Sequence, residues 1–263
     1  MKRLALLFVL CVSPALAHGS VVSGLSLGAG VSLTGGFNVF VGYHNPSSES
    51  FLFRYFGLRI DGASTGALRS AIDSAIDSYM RDGRDVGDGV RIDNGSLDVW
   101  HGSVLLDYYP FGRNWRLTSG LVRGGAKLDA DIFGEIESAP SQRFYFYLAG
   151  DHYYYNGNQF GGTARIDWDY YGPYFGTGLE FGLGCAFGVF VDIGVVLTNR
   201  PAKLSLDIPH DQLYIYNTQT ATWSPVTIPQ LDIDVGRATA DANRKLSDFR
   251  VYPMVKVGFL YRF

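Results

Sequence analysis

Cysteine is nearly missing from this chain of 263 residues: there are two, Cys11 and Cys185. Cys11 lies in an apolar stretch that reads as a removable leader. The one remaining thiol then excludes an internal disulfide and a cysteine-based zinc site in the mature protein. Long hydrophobic runs are also lacking. After residue 18 nothing approaches 18 consecutive apolar residues, so no helix is expected to span a membrane. Charge is thin as well, with 18% charged residues, a net charge of −3 and no long Lys/Arg run. Without an electrostatic footprint for phosphates, no nucleic-acid partner is expected.

What the chain has instead is glycine and aromatic residues: 33 Gly, 17 Tyr and 18 Phe. Its first residues have the three parts of an export signal: Met1-Lys2-Arg3, an apolar run from Leu4 to Val12, and Ala15-Leu16-Ala17 before His18. We expect a signal peptide over 1–17 and one domain over 18–263. Leu10 before Cys11 is bulky where a lipoprotein signal requires a small residue. The 22 basic residues less Lys2 and Arg3 leave 20 against 25 acidic ones in the mature chain. An exported, aromatic-rich chain without spanning helices is periplasmic, secreted, or a closed barrel in the outer membrane.

Residue alternation favours the barrel. In lipid, strands must satisfy all their backbone groups by pairing, and they alternate apolar residues facing lipid with small or polar residues facing the lumen. From Phe249 to Phe263, the residues Phe249, Val251, Pro253, Val255, Val257, Phe259, Tyr261 and Phe263 share one face. Arg250, Tyr252, Met254, Lys256, Gly258, Leu260 and Arg262 share the other. Similar patterns give eight strands at about 22–33, 36–44, 51–61, 96–109, 114–129, 163–180, 185–199 and 249–263. Connections after the second, fourth and sixth strands are short, whereas 62–95, 130–162 and 200–248 are long, as expected for periplasmic turns and extracellular loops. Thr34-Gly35-Gly36 is the exception, a tight turn where an outer loop belongs.

The expected fold is therefore all-β, an eight-stranded antiparallel up-and-down transmembrane β-barrel with short helices in its long extracellular loops. Helical spacing of Leu68, Ile72, Ala75, Ile76, Tyr79 and Met80 places one helix over 64–81, and a second covers 238–246. A barrel of eight strands is filled by side chains. The lumen phase collects Arg59, Asp107, Arg116, Asp192, Arg250, Lys256 and Arg262 into a charge network that plugs it. Phe144 to Tyr147 and Gly150 to Tyr155 read as a hairpin extending the fifth and sixth strands, or as an aromatic surface over 144–155 for an extracellular ligand.

Leu106-Asp107-Tyr108-Tyr109-Pro110-Phe111, Trp115 to Leu121, Pro173 to Gly178, Asp192 to Val195 before Pro201 to Leu206, and Tyr252-Pro253 to Phe263 resemble a family of small proteobacterial outer-membrane barrel proteins. That family is similar in plan to OmpA-like and OmpW-like barrels, and the resemblance runs from about residue 36 to the end. It implies insertion by the barrel-assembly machinery through the C-terminal strand, with Tyr261 and Phe263 as the recognition signal.

Three chemical motifs carry less weight. His101 and Ser103 share a strand face and resemble the His-x-Ser arrangement of lipid A deacylases, but that face is the lumen and not the bilayer. Asp82, Asp85, Asp88 and Asp93 miss the EF-hand spacing and read as a solvated loop, and His18, His44 and His210 are isolated. No enzyme, cofactor or metal is expected. The expected function is that of an outer-membrane protein in contact with lipid and lipopolysaccharide, structural or adhesive at the surface, with a mostly plugged lumen. The alternatives are a narrow channel for a small solute and, second, a lipid-modifying enzyme.

Overall fold

A computed structural model describes residues 23–263 except 71–73, 75–77, 79–89, 113, 136–143, 157, 158, 184 and 185. The expected leader over 1–17 lies outside the described residues, as does most of the Asp82 to Asp93 run.

Eight strands close into a ring. They are β1 (Leu25–Ser32), β2 (Gly36–Tyr43), β3 (Phe56–Ser64), β4 (Val90–Tyr108), β5 (Trp115–Glu135), β8 (Gln159–Gly182), β9 (Phe187–Leu197) and β13 (Val251–Arg262). Each pairs antiparallel with its neighbours in that order, and β13 pairs back onto β1, which leaves no edge. The first hairpin is two strands, so the parity of the barrel is kept. Both ends of the ring's chain, Leu25 and Arg262, lie at the end with the short connections.

Two of the expected boundaries change. Residues 51–55, read as the start of the third strand, form a short helix, α1 (Phe51–Tyr55), with Phe51, Leu52 and Phe53 all exposed. Three consecutive apolar residues cannot all face lipid from one strand, whereas a helical turn at the rim can present them together. β4, β5 and β8 run well past their expected limits and stay paired as far as Glu135 and Gln159. β10 (Lys203–Asp207) adds to the upper part of β8.

The loops build a second, smaller sheet, in the order β12-β11-β7-β6. Its strands are β6 (Phe144–Leu148), β7 (Asp151–Tyr155), β11 (Leu213–Asn217) and β12 (Thr222–Pro225). The hairpin over 144–155 is thus not an extension of the barrel strands: it pairs with β11 from the other long loop. The helix expected over 238–246 begins earlier, as α2 (Ile228–Leu246). Pro229 in its first turn needs no donor there, and Arg244 and Lys245 sit in the last turn, where the helix dipole favours cations. Leu231 of α2 packs with Phe146, Leu148, Tyr153 and Leu213 to form the core of this upper module. Of the helix expected over 64–81, Arg69, Ser70, Ser74 and Ser78 are helical and follow a 3-10 turn at Thr65–Leu68; the apolar face from Ile72 to Met80 lies outside the described residues.

Candidate functional site

The barrel holds its ions within and an apolar belt without. On its outer face Val39, Ile60, Val104, Leu121, Phe175, Ile193 and Phe259 are exposed, while their strand neighbours turn inward and, except for the half-buried Gly120 and Gly176, are buried. Along β8 the outward residues run Leu179, Thr177, Phe175, Pro173 and Tyr171, and then change to Asp169, Asp167 and Arg165. β5 makes the same change between Leu121 and Arg123, and β4 between Trp100 and Asp98. Nine residues of tilted strand from Leu179 to Tyr171 cover about 20 Å, close to the apolar belt of roughly 25 Å on bacterial barrels. Beyond it the wall bears Arg123, Lys127 and three aspartates on its outside, around a cleft of about 400 Å³.

Inside, two charge clusters fill the lumen. In the first, Asp61 accepts from Lys256 Nζ at 2.6 and 2.8 Å, from Ser103 Oγ at 3.2 Å and from Asn38 Nδ2 at 3.1 Å. His101 Nε2 stands 3.5 Å from the same carboxylate. In the second, Arg59 donates to Asp192 at 2.6 Å and to Asp107 at 3.2 Å, and Arg116 donates to Asp192 and to Glu180. Thr118 Oγ1 donates to Asp107, and Arg262 reaches Glu180 from the end of the ring with the short connections. Phe40 lies beneath the Arg59 guanidinium, its ring centroid 5.3 Å away.

Of the seven residues expected in the network, the structure brings together Arg59, Asp107, Arg116, Asp192, Lys256 and Arg262. It leaves Arg250 out. Arg250 has the right phase but the wrong height: it precedes β13, is exposed, and its Nε donates to the Ser247 carbonyl. Two acids that close the network, Asp61 and Glu180, are absent from the expected set. Both have the lumen phase and stand at the very ends of the third and sixth strands as drawn from sequence. The signal for them was charge: the expected set holds five cations against two acids, an imbalance that a closed interior cannot hold, because each unpaired ion costs several kcal/mol. With Asp61 and Glu180 included and Arg250 excluded, the cations Arg59, Arg116, Lys256 and Arg262 face the acids Asp61, Asp107, Asp192 and Glu180, four of each.

Above the ions lies an apolar and aromatic layer of Leu105, Val122, Tyr170, Tyr174, Tyr252 and Met254, with Trp168 against it. Here the tight first turn finds its reason. Tyr252 donates its hydroxyl to the Thr34 carbonyl, and a side chain at Gly35 would meet His101 Cε1 at 2.6 Å. The turn is short because it is seated against the interior, and Gly36 takes the left-handed backbone, φ 78°, that this requires. At the opposite end a cavity of about 400 Å³ opens beside Ser26, His44, Tyr109, Glu180 and Arg262.

His101 and Ser103 do face the lumen together, but both converge on Asp61, and the Ser103 proton goes to the carboxylate. Nucleophilic activation needs that proton on the imidazole. In the upper module, Asp234 is fully buried and accepts from the Tyr153 hydroxyl, from Gln230 at 2.7 Å and from Arg237 at 3.3 Å. Burial, together with that hydrogen bond, raises the Tyr153 phenol well above its ordinary value.

No family model and no curated protein matches the chain. Solved structures do. The crystal structure of CarO from Acinetobacter baumannii aligns over 93% of this chain and 100% of its own, with a TM-score of 0.52 at 15% identity. CarO2 from Acinetobacter baumannii aligns over 91% and 98%, with a TM-score of 0.52 at 16% identity. The chain shares their barrel fold. At such identity the likeness extends to the fold alone.

Proposed function

We propose that this chain is an outer-membrane β-barrel protein with a sealed lumen, whose activity resides in its surface module. The observation that carries this reading is the self-neutralising interior. Four cations and four acids satisfy one another between an aromatic layer and a narrow cavity, an arrangement that fills a cylinder and leaves no charge for a passing solute. The apolar belt supports placement in lipid, with acyl chains against Val104, Leu121 and Phe175 and lipopolysaccharide headgroups beside Arg123 and Lys127.

Tyr261 and Phe263 fit the part of an insertion signal. Both rings stand at the end of β13, with centroids 4.8 Å apart, and the Phe263 amide donates to the Leu25 carbonyl across the closing seam. In this reading the barrel anchors and the loops make the contact, structural or adhesive, with the outside.

Planar-bilayer recording tests the sealed lumen. Purified folded protein is expected to give no conductance above the lipid background, and discrete steps from the wild type would instead establish a channel. A heat-dependent shift in gel migration, expected for a closed barrel, confirms that the sample recorded is folded.

A further inference from the structure

The small sheet has two unlike faces. The side against α2 carries Phe146, Leu148, Leu213 and Ile215 and is covered by Leu231 and Val235. By strand register the other side carries Tyr147 on β6, His152 and Tyr154 on β7, Tyr214 and Tyr216 on β11, and Trp223 on β12. Every one of these rings bears a polar group. No described position on that face holds Lys, Arg, Asp or Glu.

The rings form an ordered set. Tyr147 and His152 stack at 4.5 Å with planes 8° apart, and Tyr154 and Tyr214 stack at 4.7 Å with planes 6° apart. Trp223 meets Tyr154 nearly at right angles, 85°, and touches His152 and Tyr216. Tyr154 is buried beneath its neighbours, His152, Tyr214, Tyr216 and Trp223 are half-buried, and Tyr147, on the end strand β6, is 63% exposed.

We propose that this face is a carbohydrate-binding platform for a neutral hexose glycan on a facing cell surface. A sugar ring offers an aliphatic C–H face for stacking and a rim of hydroxyls. Tyr, His and Trp offer flat rings with hydrogen-bonding edges, the matching pair of properties, whereas the α2-covered side mixes Leu148, Leu213 and Ile215 with Phe146 and Tyr153. The missing cations argue against a phosphorylated, sulfated or sialylated ligand, which would draw on charge-assisted bonds. Height favours a facing surface: β5 continues fourteen residues past Leu121, and with strand rise and tilt this carries its tip roughly 30 Å beyond the apolar belt. The proposal deepens the surface role above and rests on it.

The test uses the full-length protein in detergent micelles against immobilised neutral hexasaccharides of glucose, galactose and mannose, beside their sulfated and sialylated counterparts and saccharide released from the cell's own lipopolysaccharide. Retention on at least one neutral hexasaccharide is expected, reduced about tenfold by Tyr147→Ala and by Trp223→Ala. Tyr147→Phe, which keeps the ring, is expected to retain most of it. Tyr147 is exposed, so its replacement leaves the fold intact, and an unchanged rate of limited proteolysis within 200–248, beside an unchanged heat-dependent gel shift, verifies module and barrel for each variant. No retention on neutral glycans, retention indifferent to both alanine variants, or binding confined to anionic glycans or to the cell's own saccharide would overturn the proposal. If the platform fails while conductance stays at background, the sealed-barrel reading survives; conductance steps strike that reading and leave the glycan result standing.

Discussion

The two sheets of this chain solve opposite problems. The barrel puts its apolar residues outside and its ions inside, with Ile60 exposed on β3 while its neighbours Arg59 and Asp61 are buried. The four-stranded sheet does the reverse, with Leu213 and Phe146 buried against α2 and Tyr147 in the open. Backbone period and pairing are the same in both. The solvent differs, and it decides which face becomes the core: lipid rewards an apolar exterior and requires closure, whereas water rewards a covered apolar face and tolerates an edge.

The strongest way to break this comparison is to unpair the barrel's ions. Asp192→Ala leaves Arg59 and Arg116 without their shared acceptor. It is expected to cost roughly 3–5 kcal/mol, read as a lowered midpoint of the heat-dependent gel shift. Next in size is Val104→Arg, a charge placed on the middle of the lipid-facing belt, with an expected loss of about 2–4 kcal/mol in denaturant titrations of the protein in bilayers. Glycine in place of Arg123, above the belt, is expected to change the same titration little.

In the upper module, Tyr153→Phe removes a hydrogen bond to buried Asp234 and is expected to cost about 1.5 kcal/mol locally. Limited proteolysis within 200–248 should speed up while the barrel's gel shift stays where it was. The same pair gives a pH dependence. Tyr153 has a raised folded value, so its contribution is complete below the ordinary phenol value of about 10 and is lost as pH rises from there through the folded value. Proteolytic protection of the module should accordingly fall above that pH. The smallest effect belongs to Arg250→Ala: this residue shares the phase of Lys256 but stands outside the network, and its loss is expected to fall within about 0.5 kcal/mol.

The barrel was legible because its signal is local and repeated. Alternation in β9 and β13, and the order of short and long connections, specify eight strands without any knowledge of tertiary contacts. The lumen network was legible in phase but not in height, which is why Arg250 entered it and Glu180 did not. A strand pattern says which face a residue takes and says nothing of where the rim cuts the strand; only neutrality of the closed set supplies that. The upper sheet was the least legible part. β7 and β11 lie almost sixty residues apart, and their pairing, Tyr153 with Ile215 and Tyr154 with Tyr214, depends on two loops meeting above the barrel. No local pattern encodes that meeting, so 144–155 looked like an extension of the strands next to it in sequence.

Spin labels placed singly along β5 from Leu117 to Lys127, in a Cys185→Ser background reconstituted in bilayers, test the inside-out wall most directly. Oxygen accessibility is expected to be high at 117, 119 and 121, low at 118, 120 and 122, and to give way at 123 to accessibility toward a water-soluble relaxation agent. A profile without period two, or one in which the buried positions 118 and 122 meet oxygen more readily than 119 and 121, would contradict the account.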